Sequence, residues 1–99
     1  MSVPTRIDFN DFQKAVEKIA ILKGYRECKI TRASGGSVVR FEIFRNDEAV
    51  PHKMWTAHED RHERKVYTQD LKKACDNLGV SKKSFERYVD SKFKKFEDS

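Results

Sequence analysis

The stretch Val38-Val39-Arg40-Phe41-Glu42-Ile43-Phe44-Arg45 constrains this chain most. Val39, Phe41 and Ile43 fall on one side of an extended backbone and Arg40 and Glu42 on the other, the period of two that a half-buried strand requires. A helix would scatter the same residues around its circumference. Just upstream, Glu27-Cys28-Lys29-Ile30-Thr31-Arg32 alternates in the same way, with Cys28 and Ile30 set against Lys29 and Thr31. Between the two runs, Ala33-Ser34-Gly35-Gly36-Ser37 has the small, glycine-rich composition of a hairpin loop. Asn46-Asp47-Glu48 reads as a second turn. Residues 50–58 then read as a third strand, with Pro51 at its start or at an edge.

Helical periodicity flanks these strands. Phe12, Ala15, Val16, Ile19 and Leu22 keep the three-four spacing of one apolar stripe, which predicts a helix from about Asp8 to Lys23, capped by Asp8 or Asn10 and stopped at Gly24. A second helix is expected from Thr68 as N-cap, with Asp70 in its first turn, a stripe of Leu71, Ala74, Cys75 and Leu78, and a stop at Gly79. Ser81 or Ser84 caps a third, whose apolar face is Phe85, Tyr88, Val89, Phe93 and Phe96. The predicted class is α+β in two layers: a helix, a three-stranded antiparallel sheet, then two helices. A single domain spans 1–99, with a lead-in over 1–7, a core over 8–80, the extra helix over 81–96 and a frayed tail over 97–99.

Composition narrows the classes of function. Ninety-nine residues support one core, and with 37% hydrophobic and 37% charged residues that core depends on well-segregated faces. Cys28 and Cys75 lie among apolar neighbours without a Cys-x-x-Cys pairing, which reads as two reduced, buried thiols of a cytosolic protein. No apolar run approaches the roughly 20 residues of a membrane span. The start, Met1 to Asp11, lacks the charged-then-apolar order of a secretory signal. A cytoplasmic protein is expected. The net charge of +5, from 21 basic and 16 acidic residues, is a mild bias towards anionic partners spread over both halves.

One motif invites a catalytic reading. His58-Glu59-Asp60-Arg61-His62 spells H-E-x-x-H, which on a helix places two imidazoles one turn apart to hold zinc, with the Glu as base. Here no apolar residue occurs from His58 to Lys65, so a helix would have nothing to dock on. The variable positions are charged, and Asp70, Asp76 and Glu86, the possible third ligands, are expected on helix surfaces. The stretch reads as a solvated loop leaving the third strand, with no metal or other cofactor implied.

The order of elements, together with Gly36-Ser37-Val38-Val39-Arg40-Phe41 and the run from Tyr67 through Leu78-Gly79-Val80, resembles the HicA-type toxins over about residues 9–81. That resemblance implies a double-stranded-RNA-binding-like fold, RNA as the ligand, messenger-RNA cleavage as the ancestral activity, and an antitoxin as cognate protein partner. The position of the family's catalytic His is Val38, and valine cannot take a proton from a 2′-hydroxyl. The expected function is RNA or DNA backbone binding without catalysis, through Gly35, Gly36 and Ser37 in the hairpin and Arg64, Lys65, Lys72 and Lys73 near the second helix. Two rivals follow. An active ribonuclease would use His52 or His58, and a protein-interaction module would dock through the aromatic third helix. Trp55 is expected in the core or at a subunit contact.

Overall fold

The computed structural model describes residues 4–32 and 36–89. The elements in order are β1 (Pro4–Asp8), α1 (Phe9–Leu22), β2 (Glu27–Arg32), β3 (Val38–Phe44), β4 (Lys53–His58), β5 (Lys65–Tyr67), α2 (Thr68–Leu78) and α3 (Lys82–Val89). Strands β2, β3 and β4 form an antiparallel meander in that spatial order. The register sets Ile30 opposite Phe41 and Phe41 opposite Trp55. Directly opposed residues share a face, so the alternation seen in the sequence becomes one apolar sheet surface. Helices α1 and α2 pack against it. The architecture is the α+β arrangement that the periodicities predict.

Phe12 of α1 is the hub of the core. Its ring lies 5.4 Å from that of Phe9, 5.5 Å from Phe41 in an edge-on arrangement, and 5.6 Å from Phe85 of α3. Phe41 in turn stacks on Trp55 at 5.5 Å and 7°. Trp55 is therefore a core residue, spent on the fold. Phe85 is fully buried, and Tyr88 and Val89 pack against the same cluster. Cys28 and Cys75 are buried free thiols. Burial pushes the Cys28 thiol up to about 12, helped by the nearby Glu17 and Glu27 carboxylates, and pushes Cys75 up to about 11, helped by Asp76 and Glu86. Among the described residues, no helix is long and apolar enough to cross a membrane.

The structure corrects several local expectations. Residues 1–7 are more than a lead-in: Pro4–Asp8 pairs antiparallel with Lys65–Tyr67 in a second, two-stranded sheet, with a bulge between Pro4 and Asp8. Ile7 is the one large aliphatic residue of β1, so its alternation is too faint to read; Thr5 Oγ1 donates to the Val66 carbonyl at 2.8 Å and fixes the pairing. Strand β4 starts at Lys53, and residues 50–52 precede it. The N-cap of α2 is Tyr67, with Thr68 one position inside the helix. Asp8 occupies the N-cap of α1 without bonding to it, its carboxylate being paired with Lys65 instead. Leu22 is 61% exposed, having rotated off the apolar stripe at the end of α1. Ser81 does cap α3, its hydroxyl accepting from the Ser84 N–H at 3.1 Å. Gly79 ends α2 at φ +71°, a left-handed cap that a side chain would strain. Phe93 and Phe96 lie outside the described residues, as does Gly35.

Candidate nucleic-acid interface

The connection from β4 to β5 is a tight turn organised by one aspartate. Asp60 N–H donates to the Lys65 carbonyl at 2.9 Å, and Arg64 N–H donates to the Asp60 carbonyl at 2.7 Å. The Asp60 carboxylate accepts from the His62 and Glu63 N–H groups at 3.4 and 3.2 Å, the local bonding that makes aspartate a turn residue. Arg64 closes the turn at φ +59°, a conformation uncommon for a side-chain-bearing residue. The H-E-x-x-H string is thereby divided: His58 ends β4 and His62 sits in the turn. The two imidazoles do not share a helix face. Among the described residues no group of three or more His, Cys, Asp or Glu is arranged to hold a metal.

This turn is tied to the β2–β3 hairpin. Glu59 N–H donates to the Ser37 carbonyl at 2.9 Å. The Glu59 carboxylate, nearly buried, meets Arg32 Nη1 at 2.8 Å and Arg64 Nη1 at 3.7 Å. The Arg32 guanidinium also lies 5.7 Å over the Phe9 ring. Arg32, Gly36, Ser37, Glu59, Arg61 and Arg64 line a shallow concavity of about 270 Å³. Three arginines and one glutamate line it, so the hollow carries excess positive charge. Glu59 holds two of those guanidiniums in place, which reduces the ordering cost of meeting a ligand. The Arg64 side chain, 80% exposed, keeps most of its donors in solvent.

The neighbouring hollow has the opposite character. Asp8, Asp11 and Glu63 line it together with Asn10, Lys14, Glu59 and Arg64. Its four carboxylates outnumber the two basic side chains, Lys14 and Arg64, that line it, so this hollow carries excess negative charge.

The predicted contact residues are partly gathered here. Gly36, Ser37 and Arg64 come together. Lys65 adjoins them in sequence, but its ammonium is engaged by Asp8. Lys73 lies further along, its Nζ 3.6 Å from Asp70 Oδ1, and Lys72 points to Asp76 at 3.5 Å on the outer face of α2. His58 connects the two groups: it stands directly opposite Val38 in the β3–β4 pairing, and Val38 and His58 adjoin Ser37 and Glu59 in turn. The His58 N–H donates to Asp70 Oδ2 at 2.8 Å, and its ring Nδ1 is 3.9 Å from the same oxygen. His52 lies elsewhere. It pairs with Glu48 at 3.4 Å beside Tyr25, at the opposite end of β4 from His58 and so about 20 Å along the strand.

Asp70 is a correction to the sequence reading. It is 3% exposed and does not lie on the α2 surface. Arg32, Glu59 and Arg61 do not stand out in the sequence as site residues. Arg32 ends a strand whose polar residues read as ordinary solvent-facing positions, and Glu59 and Arg61 are hidden inside the H-E-x-x-H string. The spacing of Arg61 and Arg64 around a turn is a signal for Arg61, whereas Arg32 and Glu59 gain theirs only from the long-range Glu59–Ser37 bond. No protein-family model, curated protein or solved structure matches the chain.

Proposed function

We propose that this protein binds the phosphate backbone of nucleic acid, RNA in the first instance, through the hollow between the β2–β3 hairpin and the β4–β5 turn. The observation that carries this reading is that Arg32, Arg61 and Arg64 line one hollow with Gly36 and Ser37, Glu59 pairing with Arg32 and Arg64. Guanidinium forks suit phosphate oxygens geometrically, and the small residues of the hairpin let a backbone approach closely. The net charge of +5 adds long-range attraction. The layout α1–β2–β3–β4–α2 supports the resemblance to HicA-type toxins, and on that reading the ligand is RNA, the setting is the cytoplasm and an antitoxin is the natural protein partner. Val38 in place of the family's histidine makes the protein a binder.

One observation favours a second reading, an active ribonuclease. His58 occupies the position across the ladder from Val38, its ring is half exposed, and a buried carboxylate lies 3.9 Å from Nδ1. A histidine so placed is suited to take a 2′-hydroxyl proton from an RNA held in the adjacent hollow. The third reading, docking through the aromatic helix, loses the described part of its surface, because Phe85 is consumed by the protein's own core.

The two RNA readings part in one experiment. A fluorescent RNA duplex and a single strand are incubated with protein across a salt series, and both retention and strand length are followed. Salt-sensitive binding with intact RNA supports the binder. Cleavage that disappears in His58→Ala, with binding retained, supports the ribonuclease. Absence of binding at low salt refutes both.

A further inference from the structure

Strand β2 is an edge of the meander, and among the described residues no strand pairs with its outer side. An edge strand keeps a row of backbone donors and acceptors open to another strand. Beside that edge, a groove of about 520 Å³ runs between α1 and β2, with Ile21 and Leu22 beside the charged Lys14, Glu17 and Lys18 on the α1 wall and Glu27 and Cys28 on the other. Ile21 and Leu22 are 49% and 61% exposed, an apolar pair that the fold leaves uncovered. An open edge next to an exposed apolar pair is the geometry of strand addition.

We propose that β2 pairs antiparallel with β2 of a second copy, about a two-fold axis at Cys28, joining two three-stranded sheets into one of six strands. This goes beyond the nucleic-acid reading and does not depend on it. The choice of occupant and register comes from charge. On the outer face of β2, Glu27 and Lys29 flank Cys28, which points to the core side. Pairing about Cys28 sets Glu27 opposite Lys29 of the second copy, and Lys29 opposite its Glu27, two opposite-charge pairs on one face. Lys29 already faces Glu42 of β3 on its inner side, so the pairing continues a ladder of alternating charge across the joined sheet. Moving the axis to Lys29 places Lys29 against Lys29, a repulsive pair. Moving it to Ile30 places Lys29 against Thr31 and leaves Glu27 without an opposite charge in β2. The groove supports the same choice. It is lined by Glu27 and Cys28, so an axis at Cys28 brings the Ile21–Leu22 pairs of both copies together on the core side, where each covers apolar surface of the other. The interface is isologous, as two-fold interfaces are.

Sedimentation velocity over a concentration series, on the full chain, tests this. The wild type is expected to dimerise. Glu27→Lys and Lys29→Glu each turn two attractive pairs into two repulsive ones, so each weakens dimerisation by about tenfold or more. The double variant E27K/K29E swaps the charges across the interface and raises affinity above that of either single variant, although the carboxylate introduced at position 29 then faces Glu42 of its own sheet. Ile21→Lys weakens the dimer without touching the strand. All three positions are exposed, and circular dichroism checks that each variant keeps the fold. A wild type that stays monomeric at millimolar concentration overturns the proposal and leaves the edge to a strand of a different chain. A dimer strengthened by Lys29→Glu alone, or a double variant as weak as the single ones, overturns the register. A dimer indifferent to Ile21→Lys overturns the role of the groove.

Discussion

Asp70 offers the sharpest test of how the site is held. Its carboxylate is buried in the first turn of α2 and accepts the His58 N–H at 2.8 Å, fastening the end of β4 to the helix. Replacing Asp70 by Ala leaves that N–H without its partner, a cost of about 1–3 kcal/mol. It also removes a negative charge from a helix N-terminus, worth about 0.3–1 kcal/mol. Lys73, more than two-fifths exposed at 3.6 Å, adds little because solvent screens it. The combined cost of Asp70→Ala is about 1.3–4 kcal/mol. Asp70→Asn keeps an acceptor oxygen and loses the charge, so about 1–2 kcal/mol is expected. His58→Ala retains the backbone N–H and removes a side chain that is half in solvent, so its cost stays below about 0.5 kcal/mol. Urea unfolding followed by circular dichroism reads these differences. With a slope of about 1.5 kcal/mol/M for a chain of this size, Asp70→Ala shifts the midpoint by about 1–3 M. The order of cost expected is Asp70→Ala above Asp70→Asn above His58→Ala. If His58→Ala costs as much as Asp70→Ala, the ring rather than the backbone is the partner and the reasoning fails.

Other consequences follow from the same geometry. Phe85→Ala should cost about 3–5 kcal/mol, lowering the melting temperature by more than about 10 °C, since α3 has only eight described residues and docks through that ring; a change under about 1 kcal/mol would mean that α3 is held by something else. Cys28 and Cys75 should react with a thiol reagent at about pH 8 only as fast as the protein opens, because both hold their protons in the fold. Raised values in the folded state mean a stabilising contribution that is intact below about pH 9 and lost as pH climbs towards 11–12. Cys28→Ala should therefore flatten the decline of stability above pH 9 by up to about 1.4 kcal/mol per pH unit, and an unchanged slope would contradict the assigned burial. His52→Ala should leave RNA affinity within about twofold of wild type, as His52 lies at the far end of β4; a larger loss in a filter-binding assay would place the ligand on a different surface.

What a sequence discloses depends on how much each segment buries. Strand β3 alternates over seven residues because one face is sealed against Phe12 and its neighbours, and α1 shows its stripe because Phe12, Ala15, Val16 and Ile19 are all buried in that same core. Strands β1 and β5 bury little beyond Ile7 and Val66, so their pairing leaves almost no hydrophobic trace and emerges only from long-range hydrogen bonds. Asp70 is legible as a first-turn acid, a role it shares with many solvated residues; its burial depends on the end of β4 lying above it, which periodicity does not encode. The arginine hollow is half legible. Gly36, Ser37 and Arg64 are readable as hairpin and turn residues, while Arg32 and Glu59 gain their meaning from the Glu59–Ser37 bond that joins two distant turns. The H-E-x-x-H string misleads because its residues serve a strand end, an ion-pair pivot and a turn, three roles that spacing alone cannot separate.

In the proposed phosphate site, Arg32 and Arg64 are the two of its three arginines that Glu59 holds in place. The most direct test of that site is the dependence of RNA affinity on salt, measured for the wild type and for the Arg32→Gln/Arg64→Gln variant by fluorescence anisotropy from about 50 to 300 mM salt. Each guanidinium–phosphate pairing removed should reduce the slope of log affinity against log salt by about 0.7–0.9, so the double variant should fall by about 1.4–1.8 and bind more weakly at every salt concentration. An unchanged slope, with the variant folded, would show that RNA does not meet this hollow.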